Sequence, residues 1–382
     1  MKNRRLALSR TDHVGSLLRP EALKAAFRRR AIGEIDDAEL RGLQDEAIRE
    51  VVRAQLAHGL PAVTDGEFRR LNWQVSFSRV EGWDLWSGSW NKLLKNPGDR
   101  AAHETPLQRG DDAVLTFRVP ATARLRLQEN FPLGECRFLR SLTDNPVKST
   151  LMGADRVHQM CDIEGSRPHY EGADDFLADV VAIQRRMVTE LVAAGCDYVQ
   201  LDEPSYTGYV DEATLERMRA RGEDPLRALR RAVQADNAVI EGMRDKAVFG
   251  LHVCRGNRAS MWHREGKYDA IAETLFGGLE YDRLLLEYDT ERAGGFEPLR
   301  YLRKGTIAVL GLITTKTGRV ETVDELRRRI DEAAKFAPLE QLALSPQCGF
   351  ASGIGGNLLT EDEQWAKLDV MRETAHLVWG AT

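Results

Sequence analysis

From residue 146 onward the chain alternates six times between a short apolar run and a longer amphipathic segment, and this rhythm limits the folds open to it. The runs are PVKSTLM, DYVQLDEP, AVFGLHVC, RLLLEYD, TIAVLGLIT and QLALSPQ. Their length and Val/Leu/Ile content read as buried strands. The segments after them, 172–195, 211–243, 268–278, 295–303, 322–336 and 361–378, read as helices. Strands separated by helices pair in parallel through right-handed crossovers. Two earlier runs, RTDHVGS (10–16) and PAVTDGE (61–67), flank a helix expected over 36–58. In that helix Leu40, Leu43, Ala47, Ile48, Val51, Val52 and Leu56 keep a 3–4 spacing, and Gly59 ends it. Eight such units close into a (β/α)8 TIM barrel, which typically takes about 250 residues. The alternative is a doubly wound sheet, but no GxGxxG follows the first strand.

Residues 68–145 break the rhythm. They contain Trp73, Trp83, Trp86 and Trp90, and the alternating runs AVLTFRV and TARLRL suggest a β-hairpin. The expectation is one catalytic barrel over 1–382 that carries 68–145 as an insertion of mixed β and irregular structure after the second strand. Its aromatics either form a satellite core or line a substrate entrance.

Composition removes several function classes. A net charge of −5 offers no basic field for nucleic acid. No apolar run is long enough to span a membrane, and the charged start MKNRRLALSR lacks the apolar stretch of a secretory signal. Five scattered cysteines make no disulfide framework, so a reducing cytoplasm is expected.

In a barrel of this kind the reactive groups collect at the C-terminal strand ends. Polar residues fall there repeatedly: His13, Asp65 and Glu67, Asp202 and Glu203, His252 and Cys254, Glu287 and Asp289, Thr314 to Lys316, and Cys348. His252 and Cys254, two apart on one strand, project to the same face. With Glu287 and Cys348 from other strand ends they would offer zinc one imidazole, two thiolates and one carboxylate. The donors leave the site at a formal charge of about −1, which weakens the metal as an activator of water. Such a metal suits a third thiolate, from a substrate, that coordination deprotonates yet leaves nucleophilic. The expected chemistry is alkylation of a thiol. Glu67 and Asp202 would hold a substrate ammonium, and the backbone amides of Gly15 and Ser16, next to His13, its carboxylate. That describes an amino-acid thiol such as homocysteine. Asp202, Lys316 or a bound water would supply a proton to the departing group.

The motifs DHVGSLLRP, VTDGEFRR, YVQLDEP, GLHVCRGN, LLLEYDTERAGGFEPLR, VLGLITTKTGRVE and LALSPQCGFAS together resemble the short, single-barrel relatives of cobalamin-independent methionine synthase. The resemblance implies zinc held by His252, Cys254, Glu287 and Cys348. It implies homocysteine bound by Val14-Gly15-Ser16, Glu67 and Asp202, and methyltetrahydrofolate or another methyl carrier as donor. Three positions depart from the family. STLMGAD has Leu151 and Met152 where the full-length synthase has a folate-site Trp. Gly208 stands near the place of a folate-contacting Glu. ITTKTG, with Lys316, replaces a motif with a proton-donating His. The thiol half is retained and the donor half altered. Two other readings share these residues: a transferase that opens epoxides with coenzyme M, and a non-catalytic barrel with structural zinc.

Overall fold

The computed structural model of the 382-residue chain describes residues 2–84 and 118–380. Trp86, Trp90 and the AVLTF part of the expected hairpin lie outside the described residues. TARLRL instead pairs upstream: strand β1 (Val80–Glu81) runs antiparallel to β2 (Arg126–Leu127). Trp83 joins the main hydrophobic core and not a satellite one, edge-on to Phe77 and Phe176, with its Nε1 donating to the Val119 carbonyl at 2.9 Å.

Six parallel strands follow in sequence order: β3 (Lys148–Met152), β4 (Tyr198–Asp202), β5 (Val248–Val253), β6 (Arg283–Glu287), β7 (Ile307–Ile313) and β8 (Leu342–Pro346). Every residue in them is buried, as unbroken apolar runs require. The register sets Met152 beside Asp202 and Asp202 beside His252. The two early runs extend this sheet at its edges through single parallel bridges, Thr11 to Leu344 and Val63 to Val147. They meet through one backbone bond, Leu17 N to Gly66 O at 3.2 Å, and through Thr64 Oγ1 to Gly15 O at 2.7 Å. The layout is a six-stranded parallel sheet with the two early runs bridged to its edges at one rung each, in keeping with the expected (β/α)8 arrangement. At its base Asp12 accepts from Lys148 Nζ and Arg283 Nε, both at 2.8 Å, and from the Tyr198 hydroxyl at 2.9 Å.

The helices follow the sequence, with several differences. The segment 211–243 is two helices, Glu212–Ala220 and Pro225–Ile240. Gly222, at φ 73, turns the chain between them, and Asp224 caps the second by accepting from Leu226 N and Arg227 N. The segment 295–303 shortens to a 3-10 helix, Glu297–Tyr301, and 268–278 starts with one at Tyr268–Ala270. A helix, Phe131–Arg140, forms inside 68–145 and buries Cys136 and Leu139. No helix among the described residues is long and apolar enough to cross a membrane.

Candidate metal centre

His252 and Cys254 stand at the end of β5, and Cys348 follows β8. Their donor atoms lie within 4.8 Å of one another, and all three residues are buried. The Cys254 and Cys348 sulfurs are 3.4 Å apart. His252 Nδ1 faces the Leu285 carbonyl at 3.3 Å, which assigns the proton to Nδ1 and leaves the Nε2 lone pair free. That Nε2 is buried without a partner. A buried polar atom with no partner is rare in a folded protein, and here it borders two sulfurs. Burial disfavours a charged His252, but Cys254, Asp202 and Glu287 outweigh it and raise its pKa. The Cys348 sulfur, with burial, holds the Cys254 thiol well above the usual range. A divalent cation would reverse that preference, since coordination deprotonates a thiol. The donor set fits a metal ion.

Glu287 is not among these donors. It is fully buried, but its Oε2 accepts from Arg255 N at 2.9 Å and its Oε1 from Arg292 Nη2 at 3.2 Å. The expected four-residue set is therefore three plus a carboxylate turned toward Arg292.

The three residues border an open cavity of about 140 Å³ that Ser16, Glu67 and Asp202 also line. Glu67 follows Gly66, and both residues have positive φ (61° and 68°), a strained conformation for a glutamate. The sharp turn drives its side chain inward. Oε1 accepts from Thr150 Oγ1 at 2.8 Å, while Oε2 is buried without a partner. Arg70 pairs chiefly with Glu135, at 2.6 Å, and Arg69 with Asp45, so neither takes up Glu67 fully. Burial raises the Asp202 pKa to about 6, with Glu67 adding to the rise and His252 opposing it.

Two of the expected residues, His13 and Lys316, stand apart from the cavity lining. His13 does not line the cavity. It lies near Pro61, Ala62 and Arg283, and burial together with Lys148 lowers its pKa to about 4, so it is neutral. Gly15 lies between the lining residues Val14 and Ser16, and at φ 141 a Cβ there would sit 2.8 Å from Thr150 Cγ2. Lys316 is fully buried behind the loop after Cys254, where Nζ donates to Gly256 O at 2.9 Å and Asn257 Oδ1 at 3.1 Å. It pins that loop and is not among the residues that line the cavity. Trp73 lines the cavity, one of the two roles expected for the aromatics of 68–145. The sequence reading missed Arg156, on the short helix Ala154–Gln159, and Arg264, on the loop after β5, which also line it. Neither position has a strand periodicity to reveal it.

Residues 127–377 match the family model described as "Cobalamin-independent synthase, Catalytic domain". The chain is 36% identical over 379 residues to the uncharacterized protein YxjH of Bacillus subtilis, with 99% of this chain and 97% of that one covered. A crystal structure of a putative vitamin-B12-independent methionine synthase from Listeria monocytogenes superposes with a TM-score of 0.74 at 30% identity, covering 97% of this chain and 98% of that one. A B12-independent methionine synthase from Shewanella sp. W3-18-1, solved in complex with selenomethionine, has the same fold, with a TM-score of 0.69 at 20% identity and 97% of both chains covered.

Proposed function

The chain belongs to the cobalamin-independent methionine synthase family of methyltransferases, and on that premise we propose that it methylates a zinc-bound thiol, homocysteine, to give methionine. The observation that carries the reading is the unpartnered His252 Nε2 beside the paired Cys254 and Cys348 sulfurs, on the floor of the cavity that Glu67 lines. Zinc bound there would hold the substrate thiol as a thiolate. Glu67, with one free carboxylate oxygen, anchors the substrate ammonium, and the Ser16 region receives its carboxylate. The thiolate lone pair attacks the methyl carbon as the bond from methyl to donor breaks, and Asp202, with its raised pKa, returns a proton to the departing group. His252, Cys254 and Cys348 would hold the metal, and Glu287, bound to Arg255 N and Arg292, would be a fourth ligand only on turning from Arg292. The selenomethionine bound to the Shewanella protein is an analogue of the product expected here. Methyltetrahydrofolate or another methyl carrier is the donor. The catalytic unit is a single barrel over 1–382 with 68–145 inserted, and its buried free cysteines suit the cytoplasm.

The test is Cys348→Ser. Metal analysis should find about one zinc per wild-type chain and a much reduced content in the variant, with methionine formation from homocysteine lost. Full zinc retention with normal turnover in the variant would overturn the assignment.

A further inference from the structure

Glu67, on the wall of the cavity, has a rival for its charge. Arg70 lies three residues on, with Nη1 3.5 Å from Glu67 Oε1, and both side chains are buried. A buried arginine that close to a carboxylate ordinarily closes on it and pairs through two parallel N–H bonds. A carboxylate paired in that way has little left for a substrate cation. Here the pair stays open.

Glu135 is the reason. It stands on the helix Phe131–Arg140, inside the inserted segment, and is 5% exposed. Arg70 Nε donates to both of its oxygens, at 3.0 and 3.1 Å, and Arg70 Nη2 donates to Oε2 at 2.6 Å. Thr150, in β3, holds the other side of the guanidinium. Its carbonyl accepts from Nη2 and its hydroxyl from Nη1, both at 2.9 Å. The same hydroxyl donates to Glu67 Oε1 at 2.8 Å. Thr150 is thus a spacer between the cation and Glu67, and Glu135 is the anchor that keeps the cation on the far side of it. Arg19, a second cation close by, donates to backbone carbonyls, those of Glu67, Arg70, Ala351 and Gly353. Asp65 accepts from Glu67 N at 2.9 Å and fixes the sharp turn. Glu67 keeps Oε2 without a partner. A gap of about 10 Å³ bordered by Glu67, Arg70, Glu135 and Thr150 leaves a freed guanidinium room to shift.

We propose that Glu135 is a positioning residue for the amino-acid substrate: by holding Arg70 it leaves the Glu67 carboxylate open to the substrate ammonium. The inference rests on the methyl-transfer reading, in which Glu67 binds that ammonium. It gives the insertion 68–145 a part in selecting the thiol.

The test measures thiol binding to zinc-loaded protein by calorimetry at about pH 8, where Glu135 is charged, since burial raises its pKa to about 7 against the pull of Arg70. The probes are homocysteine and 4-mercaptobutanoate, the same thiol without its amino group. In Glu135→Gln, Arg70 should move onto Glu67, and the dissociation constant for homocysteine should rise about 10- to 100-fold. That for 4-mercaptobutanoate should not rise, because this thiol offers Glu67 no cation. Glu135→Asp, which keeps the charge on a shorter arm, should show a smaller rise for homocysteine alone. Glu135→Gln combined with Arg70→Gln removes the rival as well, and should recover most of the homocysteine affinity, which general damage to the fold would not. An unchanged homocysteine affinity in Glu135→Gln, an equal loss for both thiols, or no recovery in the folded double variant would overturn the proposal. If Glu135→Gln does not fold, Glu135→Asp decides: a loss confined to homocysteine supports the proposal, and any other result overturns it. Zinc-dependent methylation of homocysteine by methyl iodide in the wild type tests the methyl-transfer reading separately. If the wild type shows none, that reading fails. If it does and Glu135→Gln binds homocysteine normally, only the part given to Glu135 fails.

Discussion

Asp12 is the point at which the base of the barrel is most easily broken, and Asp12→Asn tests how. The carboxylate accepts from Lys148 Nζ and Arg283 Nε, each at 2.8 Å, from the Tyr198 hydroxyl at 2.9 Å and from His13 N at 2.9 Å. The Lys148 and Arg283 side chains are each 1% exposed. Asparagine keeps the shape and one acceptor oxygen but removes the anion between two buried cations, whose other partners are neutral: the His13 carbonyl and the Tyr198 ring for Lys148, and the Ala7, Ser9 and Thr11 carbonyls for Arg283. Losing one partner of a buried pair costs about 3–5 kcal/mol. Urea unfolding with an unchanged m-value should read that loss. Burial acts against the Asp12 charge, but Lys148 and Arg283 prevail and hold its pKa far below the usual value. A depressed carboxylate stabilises the fold above its unfolded pKa of about 3.9 and loses that effect as pH falls toward the folded pKa. The gap between wild type and variant should therefore be full at pH 7 and shrink below about pH 4. Asp12 also fastens the first stave, which bears Ser16. Homocysteine binding should weaken in the variant while zinc content stays the same. A loss under about 1 kcal/mol at pH 7 would refute the view that this carboxylate holds the base together.

Other outcomes follow from the same structure. In metal-free protein the raised Asp202 pKa favours the fold when the group is protonated. Its contribution, on the order of 3 kcal/mol, is present below about pH 4 and lost as pH rises through about 6, so Asp202→Asn should flatten that part of the stability profile. Gly250→Ala would place a Cβ 2.4 Å from the buried Tyr198 hydroxyl, and thermal unfolding should show a loss of about 1–3 kcal/mol. Zinc at about 100 times its dissociation constant should stabilise the wild type by about 2.7 kcal/mol, and chelation should reverse this. His252→Ala should show no such response.

The parallel sheet was legible because strands buried on both faces must be apolar throughout, and six runs after residue 146 met that demand. Runs 10–16 and 61–67 were legible as strands, but not the single rung each forms, because pairing extent depends on backbone direction. The helix Phe131–Arg140 escaped notice. FPLGECRFLR includes Pro132 and Gly134, and its buried Glu135 is explained only by Arg70, far away in the chain. The split at Gly222-Glu223-Asp224-Pro225 had a readable signal, a glycine stop followed by an Asp-Pro start. At the site, residue types and strand ends were enough to bring His252, Cys254 and Cys348 together. Side-chain direction decided the rest: Glu287 turns to Arg292, Lys316 to the 256–257 loop and His13 away from the cavity. None of those turns is encoded in spacing.

The uneven pairing of the barrel has a mechanical meaning. The residues that would grip the metal ride on a continuous hydrogen-bonded sheet, while Ser16 and Glu67 ride on staves held by one rung each and joined by Leu17 N to Gly66 O. The molecule is built like a vice with a fixed jaw and a sprung one. The sprung jaw keeps ties of its own, Asp12 at the base and Ser16 O to Phe350 N at 3.0 Å, so the give available for an amino-acid head group lies in two single rungs and not in the sheet that carries His252.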